Sequence, residues 1–165
     1  MAPPSILFVC TANVCRSPMA EALFMQKLEQ RRLSDPDFPP DWRVGSAGTW
    51  ASEGEPAALR SQKVMLERGL DLRKHRSRRV TLEILGSYNL ILVMEQSHKE
   101  ALRVEFPGLT RRIFLLGEMA GLLRDVRDPI AGTMADYIDV ARELDSLLSQ
   151  GFERICQLAR RKPNP

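Results

Sequence analysis

Cys10 and Arg16, with five residues between them, are the residues of this chain whose types and spacing suit covalent chemistry on an anion. The intervening arc, Thr11, Ala12, Asn13, Val14 and Cys15, can turn its backbone N–H groups inward and form an anion-binding nest. A helix opening directly after the arc adds its positive end. Arg16 contributes a planar fork that matches two oxygens of a phosphoryl group. The same positive groups favour a thiolate at Cys10 and make it nucleophilic near neutrality. A phosphorus atom held in the nest would lie in line with that sulfur. Arg16 and the amides would stabilise the developing charge, so no metal or other cofactor is called for.

Such a loop needs a strand before it and a helix after it. Residues 6–9 are a short apolar run that reads as a buried strand. Ser17 as N-cap and Pro18 at the first helical position predict a helix that continues through residues 19–33. A second strand is expected over residues 42–44, followed by a Gly/Ser/Ala-rich turn over 45–49. Residues 56–68 read as a helix closed by Gly69, residues 81–85 as a short helix, and residues 88–94 as a buried strand. A helix over 96–105 stops at Phe106-Pro107-Gly108, and residues 112–116 form a fourth strand. A loop carrying Asp125 and Asp128-Pro129 leads into a long amphipathic helix over 134–161, with a break near Gly151. Strands alternating with helices predict an α/β fold, a four-stranded parallel twisted sheet with helices on both faces. In such sheets ligands sit beyond the carboxyl ends of the strands, where Cys10 falls.

A length of 165 residues suits a single domain spanning residues 1–165. The chain is 44% hydrophobic and 27% charged, which excludes a disordered chain. It has no apolar stretch near the roughly 18 residues of a membrane span and no signal-peptide pattern at its start. A cytoplasmic protein with no membrane partner is expected. The net charge of +3 reflects basic and acidic residues that are interspersed. The basic run over residues 73–79 is short and lacks interleaved aromatics, so nucleic acid is not expected as a partner. That run reads as a solvated face, or as a field that attracts an anionic substrate. Three cysteines in no zinc-like spacing and only two histidines argue against a metal site. Cys156, in a helical stretch, reads as packing.

The run Phe8-Val9-Cys10-Thr11-Ala12-Asn13-Val14-Cys15-Arg16-Ser17-Pro18-Met19-Ala20-Glu21 resembles the signature of the low-molecular-weight protein tyrosine phosphatases. The resemblance continues through Trp42-Arg43-Val44-Gly45-Ser46-Ala47-Gly48-Thr49, Gly69-Leu70-Asp71-Leu72, His75-Arg76-Ser77-Arg78, the strand over 90–94 and Asp128-Pro129. It implies that Cys10 forms a phosphocysteine intermediate and that Arg16 binds the phosphoryl oxygens. Ser17 would donate a hydrogen bond to the Cys10 sulfur. Asn13 would shape the loop with positive φ, a conformation Asn tolerates, while Ser46 and His75 would hold Asn13. Apart from the resemblance, His75 reads equally as a solvated member of the basic run. Cys15 corresponds to the neighbour that traps an oxidised nucleophile as a reversible disulfide; it reads equally as a small buried residue.

Expulsion of an alkoxide or phenoxide requires a proton at the leaving oxygen. Asp128 matches the family's acid, with Pro129 limiting backbone freedom beside it, and Asp125 is its competitor. Two departures bear on the substrate. Many members have aromatic residues after Asp-Pro, where this chain has Ile130 and Ala131; Trp50 is then either a replacement wall or a surface residue. Ala12 stands where Gly is common. The stretches over 125–132, 136–138 and 142–144 also resemble a bacterial branch that includes protein arginine phosphatases. In those a loop Thr accommodates phosphoarginine and aryl-specific members have Ile. Val14, β-branched and apolar, leans to aryl phosphate.

The expected activity is therefore hydrolysis of phosphotyrosine or similar aryl phosphate monoesters by a monomer or weak dimer. Its substrate would be a phosphorylated protein or a small aryl phosphate. The alternatives are a protein arginine phosphatase, an arsenate reductase or a non-catalytic phosphate-binding protein. A reductase would lack relay cysteines between Cys15 and Cys156, and joint retention of Cys10, Arg16, Ser17 and Asp128 argues against a non-catalytic role.

Overall fold

The computed structural model describes residues 2–162. Strand β1 (Ser5–Cys10) occupies an interior position in a four-stranded sheet of order β2-β1-β3-β4. Its neighbours are β2 (Arg43–Gly48) and β3 (Leu90–Val93), and β4 (Ile113–Leu115) forms the far edge. All three pairings are parallel, with Cys10 opposite Gly48 and Val9 opposite Val93.

Alternation along β1 divides its apolar run between two cores. Ile6 and Phe8 face a layer that includes Phe24, Leu144 and Ile155. Leu7 and Val9 face a second layer with Leu85 and Leu102. The first layer is built by α1 (Arg16–Ser34), α2 (Leu59–Glu67), α5 (Met134–Gln150) and α6 (Phe152–Arg160). The second is built by α3 (Leu82–Gly86) and α4 (Gln96–Glu105). A strand covered on both faces must be apolar throughout, which is why residues 6–9 show no polar alternation.

The chain crosses from β1 to β2 through α1, then passes back across β1 to β3 by a connection that carries α2 on the same face as α1 and α3 on the opposite one. This reversal leaves a crevice at the carboxyl end of β1, where Cys10 sits.

Several boundaries differ from the sequence expectation. α1 starts at Arg16 with Cys15 before it, and no side chain caps it. Ser17 is therefore inside the first turn rather than at its N-cap. Pro18 is still tolerated there, since the amides of a first turn have no intrahelical acceptor. β2 runs on through Gly45-Ser46-Ala47-Gly48, the stretch expected to turn. The small residues reflect close approach: a methyl on Gly48 would meet the Thr11 carbonyl, and would lie 2.8 Å from Ala51 Cβ and 3.0 Å from Asn13 N. α2 begins only at Leu59, because the residues before it are extended, and Ala58 N–H bonds to Val14 O at 2.9 Å. The expected strand over 112–116 is three residues long, flanked by 3-10 turns at Pro107–Arg112 and Leu116–Ala120. The last helix breaks at Gly151, where a side chain would press on Met119.

Gly48→Ala is expected to lower the free energy of unfolding by about 1–3 kcal/mol, since the nearest obstructing atom is the Thr11 backbone carbonyl. Urea unfolding measures this. An unchanged midpoint would show that the loop can give way.

Candidate active site

The loop after β1 has its polarity turned inside out. The carbonyls of Cys10, Thr11, Asn13 and Val14 are each taken by a donor from elsewhere. Thr49 N–H bonds to Cys10 O, Trp50 N–H to Thr11 O and Ala58 N–H to Val14 O, each at 2.9 Å. His75 Nε2–H donates to Asn13 O at 2.7 Å. By contrast, the N–H groups of Ala12, Asn13, Val14 and Cys15 donate to no other group among the described residues. Four free amides on one arc form a nest for an anion, and the N-terminus of α1 opens directly beyond it.

Asn13, with φ of +58°, is the one described non-glycine residue with positive φ. Its amide orientation is set by Arg78 N–H, which bonds to Oδ1 at 3.0 Å. Its Nδ2 therefore has two protons to donate, one to Ser17 Oγ at 2.8 Å and one to Ser46 Oγ at 3.0 Å. Ser46 O–H donates in turn to Glu21 Oε2 at 2.7 Å. Ser17, already accepting from Asn13, is left to donate to Cys10 Sγ at 3.0 Å. The chain of bonds thus runs in one direction and presents an O–H donor to the sulfur. Burial pushes the Glu21 carboxyl above its ordinary range, against the hydroxyl of Ser46 and the charges of His75 and Arg78.

Arg16 is 1% exposed. Nη1 donates to Val126 O at 2.8 Å and lies 3.4 Å from Glu95 Oε2. Nη2 makes only longer contacts, at 3.4 Å to Thr11 Oγ1 and 3.4 Å to Asp128 Oδ2. Nε is buried with no partner among the described residues. A buried guanidinium nitrogen is costly to leave unbonded. Nε and Nη2, one edge of the fork, are thus the donors in reserve for an anion.

Asp128 and Asp125 separate cleanly. Asp125 Oδ1 accepts from Gln96 N–H at 2.8 Å, which commits it to the start of α4. Asp128 accepts from Ile130 N–H at 3.1 Å and lines the pocket over the loop with Cys10, Ala12, Val14, Cys15, Arg16 and Ile130. Its position is held from below by Val126, which is fully buried and bonds through its N–H to Met94 O at 2.8 Å. Among the described residues no aromatic ring lines this pocket. Trp50 is 74% exposed, with the Arg79 guanidinium 4.8 Å from its ring centre.

Cys15 and Cys156 differ from Cys10 in their surroundings. Burial pushes the Cys15 thiol up, with Tyr137 OH 3.4 Å from its sulfur. Burial pushes Cys156 to about 12.

Sequence reasoning assigned no role to Glu21, Arg78, Glu95, His98, Val126 or Tyr137. Glu21 and Arg78 lie in the phosphatase signature stretches, and Val126 and Tyr137 in those that resemble the arginine-phosphatase branch. The sequence signal for the others is faint: a carboxylate at the end of an apolar strand and one of only two histidines.

The family profile described as low molecular weight phosphotyrosine protein phosphatase matches residues 5–161. A protein-arginine-phosphatase of Geobacillus stearothermophilus is 34% identical over 154 residues, 93% of this chain and 97% of its own length. A probable low molecular weight protein-tyrosine-phosphatase EpsP of Ralstonia nicotianae is 38% identical over 125 residues, covering 76% of this chain and 77% of that protein. The crystal structure of a low molecular weight protein tyrosine phosphatase from T. tengcongensis superposes with a TM-score of 0.81 at 38% identity, over 91% of this chain and 98% of that one.

A thiol must lose its proton to be alkylated, so Cys15 and Cys156, both pushed up by burial, are expected to stay unlabelled at neutral pH. Iodoacetate, an anion that fits the nest, is expected to add one equivalent, at Cys10, and inorganic phosphate to block it. Peptide mass mapping tests this; labelling at Cys15 or Cys156 would contradict it. With those bonded carbonyls, its free inward amides and its match over nearly the whole sequence, the chain belongs to the low-molecular-weight phosphotyrosine protein phosphatase family.

Proposed function

We propose that this chain hydrolyses phosphotyrosine or similar aryl phosphate monoesters through a phosphocysteine intermediate at Cys10. The observation that carries the reading is a sulfur with an O–H donor at 3.0 Å, beside a buried guanidinium whose Nε has no partner.

In the first step the substrate phosphoryl group lies on the amides of Thr11, Ala12, Asn13, Val14, Cys15, Arg16 and Ser17, with two oxygens on Nε and Nη2 of Arg16. The Cys10 thiolate attacks phosphorus, and the P–O bond to the leaving group breaks. Asp128, in its acid form, gives the leaving oxygen its proton. Before substrate enters, Asp128 lies 3.4 Å from Arg16 Nη2, so its carboxyl already borders the space where phosphate would sit.

In the second step the Asp128 carboxylate takes a proton from water, which attacks phosphorus as the P–S bond breaks. Ser17 O–H stabilises the departing thiolate. Asn13, Ser46 and His75 keep the loop formed throughout, Ser46 through Nδ2 and His75 through the Asn13 carbonyl. Cys15 is close enough in sequence to trap an oxidised Cys10 as a disulfide. No metal enters either step.

Phosphoarginine is the second reading, with the same steps at a P–N bond. It is favoured by a pocket lined by Ala12, Val14 and Ile130 with no ring to stack on an aryl group. The relative from Geobacillus stearothermophilus carries the name of that activity. Val14 keeps aryl phosphate as the first reading.

The substrate is a phosphorylated protein or a small phosphate, not a nucleic acid. Three free thiols suit the reducing cytoplasm, and no helix among the described residues is long and apolar enough to cross a membrane. We infer that the whole chain is one phosphatase domain, acting as a monomer or weak dimer.

Hydrolysis of para-nitrophenyl phosphate in the presence of a chelator tests the mechanism. The wild type is expected to turn over, Cys10→Ser to be inactive, and Asp128→Asn to lose about 10²–10⁴ in kcat. Turnover that requires a divalent cation, or survives Cys10→Ser, would overturn it. Peptides carrying phosphotyrosine or phosphoarginine then rank the two readings by kcat/KM.

A further inference from the structure

His98 is buried at the first turn of α4, 88 residues beyond the nucleophile in sequence, and touches two of the groups that bracket Arg16. Its Nδ1 accepts from Glu95 N–H at 3.2 Å, so the ring proton of the neutral imidazole belongs on Nε2. Nε2 lies 2.8 Å from Thr11 Oγ1 and 3.1 Å from Glu95 Oε2. Those two oxygens stand at the two ends of the guanidinium, Thr11 Oγ1 at Nη2 and Glu95 Oε2 at Nη1, each at 3.4 Å. The imidazole N–H therefore bonds to the oxygen at one end of the fork and lies beside the carboxylate at the other.

Arg16 needs such a frame. Among the described residues its only short bond is to Val126 O, at 2.8 Å from Nη1. A single bond at one nitrogen leaves the planar group free to pivot about that point. Contacts at both terminal nitrogens remove that freedom, and an edge held in place makes its two hydrogen bonds to phosphate with less ordering.

We propose that His98 is a positioning residue for Arg16, acting through Thr11 Oγ1 and the Glu95 carboxylate to hold the Nε–Nη2 edge ready for the phosphoryl group. The neutral ring is the form that fits, because a proton on Nδ1 would face the N–H of Glu95. Burial favours that neutral form, aided by the nearby Arg16 charge and opposed by Glu95, Asp125 and Asp128. His98 does not touch the reacting atoms in this scheme, so its effect is on binding and transition-state stabilisation through Arg16.

The proposal rests on the cysteine-phosphatase reading, and the experiment keeps the two apart. Para-nitrophenyl phosphate turnover, inhibition by inorganic phosphate and thermal melting are measured on the wild type, His98→Ala, His98→Gln and Thr11→Val. The wild type must be active without metal; failure there sinks the function itself. Given an active wild type, His98→Ala is expected to lose about tenfold in kcat/KM and about tenfold in phosphate affinity, the scale of one hydrogen bond to a charged network. His98→Gln, whose amide can reach Thr11 Oγ1, is expected to recover most of both. Thr11→Val is expected to match His98→Ala, and the double variant to be no worse than either single one. A helix-packing role would lower the melting temperature of both His98 variants yet leave phosphate affinity unchanged. That result, additive losses, or a Gln variant as impaired as Ala would overturn the proposal. If His98→Ala does not fold, Thr11→Val alone decides: phosphate affinity equal to wild type would refute the link.

Discussion

An arc that offers its amides to an anion must dispose of its carbonyls elsewhere, and that requirement organises this molecule. Carbonyls of Cys10, Thr11, Asn13 and Val14 face protein and would be costly without donors. The donors come from the residues after β2, from the extended segment before α2 and from His75. These segments are distant in sequence, and the parallel sheet brings them to one end of β1. The signature residues therefore cannot form their loop by themselves. Its shape belongs to the whole sheet edge, including a glycine on β2 that must lack a side chain for the loop to lie against it.

Direction matters as much as connection in the polar interior. Asn is the side chain at position 13 that offers two protons and one acceptor from a single planar group. With Arg78 on the acceptor and two serines on the donors, every proton in the chain has one destination. The half-buried Glu21 carboxyl at the far end accepts the hydrogen bond of Ser46 Oγ and fixes the sense of its bond with Asn13. A serine beside a sulfur is ambiguous by itself, since either atom can donate. Here the network removes the ambiguity.

Much of this was legible in the sequence because it is local. The apolar run of β1, the arc and the helix after it follow one another within about thirty residues, and the spacing of Cys10 and Arg16 is meaningful only in that context. The turn read into Gly45-Ser46-Ala47-Gly48 was misplaced for a physical reason: small residues mark both tight turns and strands on which another backbone rests, and composition does not distinguish them. Ser17 had the composition of an N-cap, but its hydroxyl serves the sulfur seven residues earlier, and the helix starts uncapped. Glu95, His98 and Val126 were invisible as site residues because their contacts with the loop span about 80 to 110 positions, and no periodicity encodes such a contact. Asp125 and Asp128 were inseparable in sequence. The start of α4, by claiming one of them, tells them apart.

The buried Arg16 nitrogen without a partner has a consequence for the folding equilibrium. An unfolded chain hydrates that nitrogen, whereas in the folded chain no described residue bonds to it. Any oxyanion that satisfies it acts as a thermodynamic ligand of the fold. At a free concentration a hundred times its dissociation constant, such an ion stabilises the native state by about 2.7 kcal/mol. Inorganic phosphate, the product of phosphatase chemistry, would by binding there favour the folded state as well.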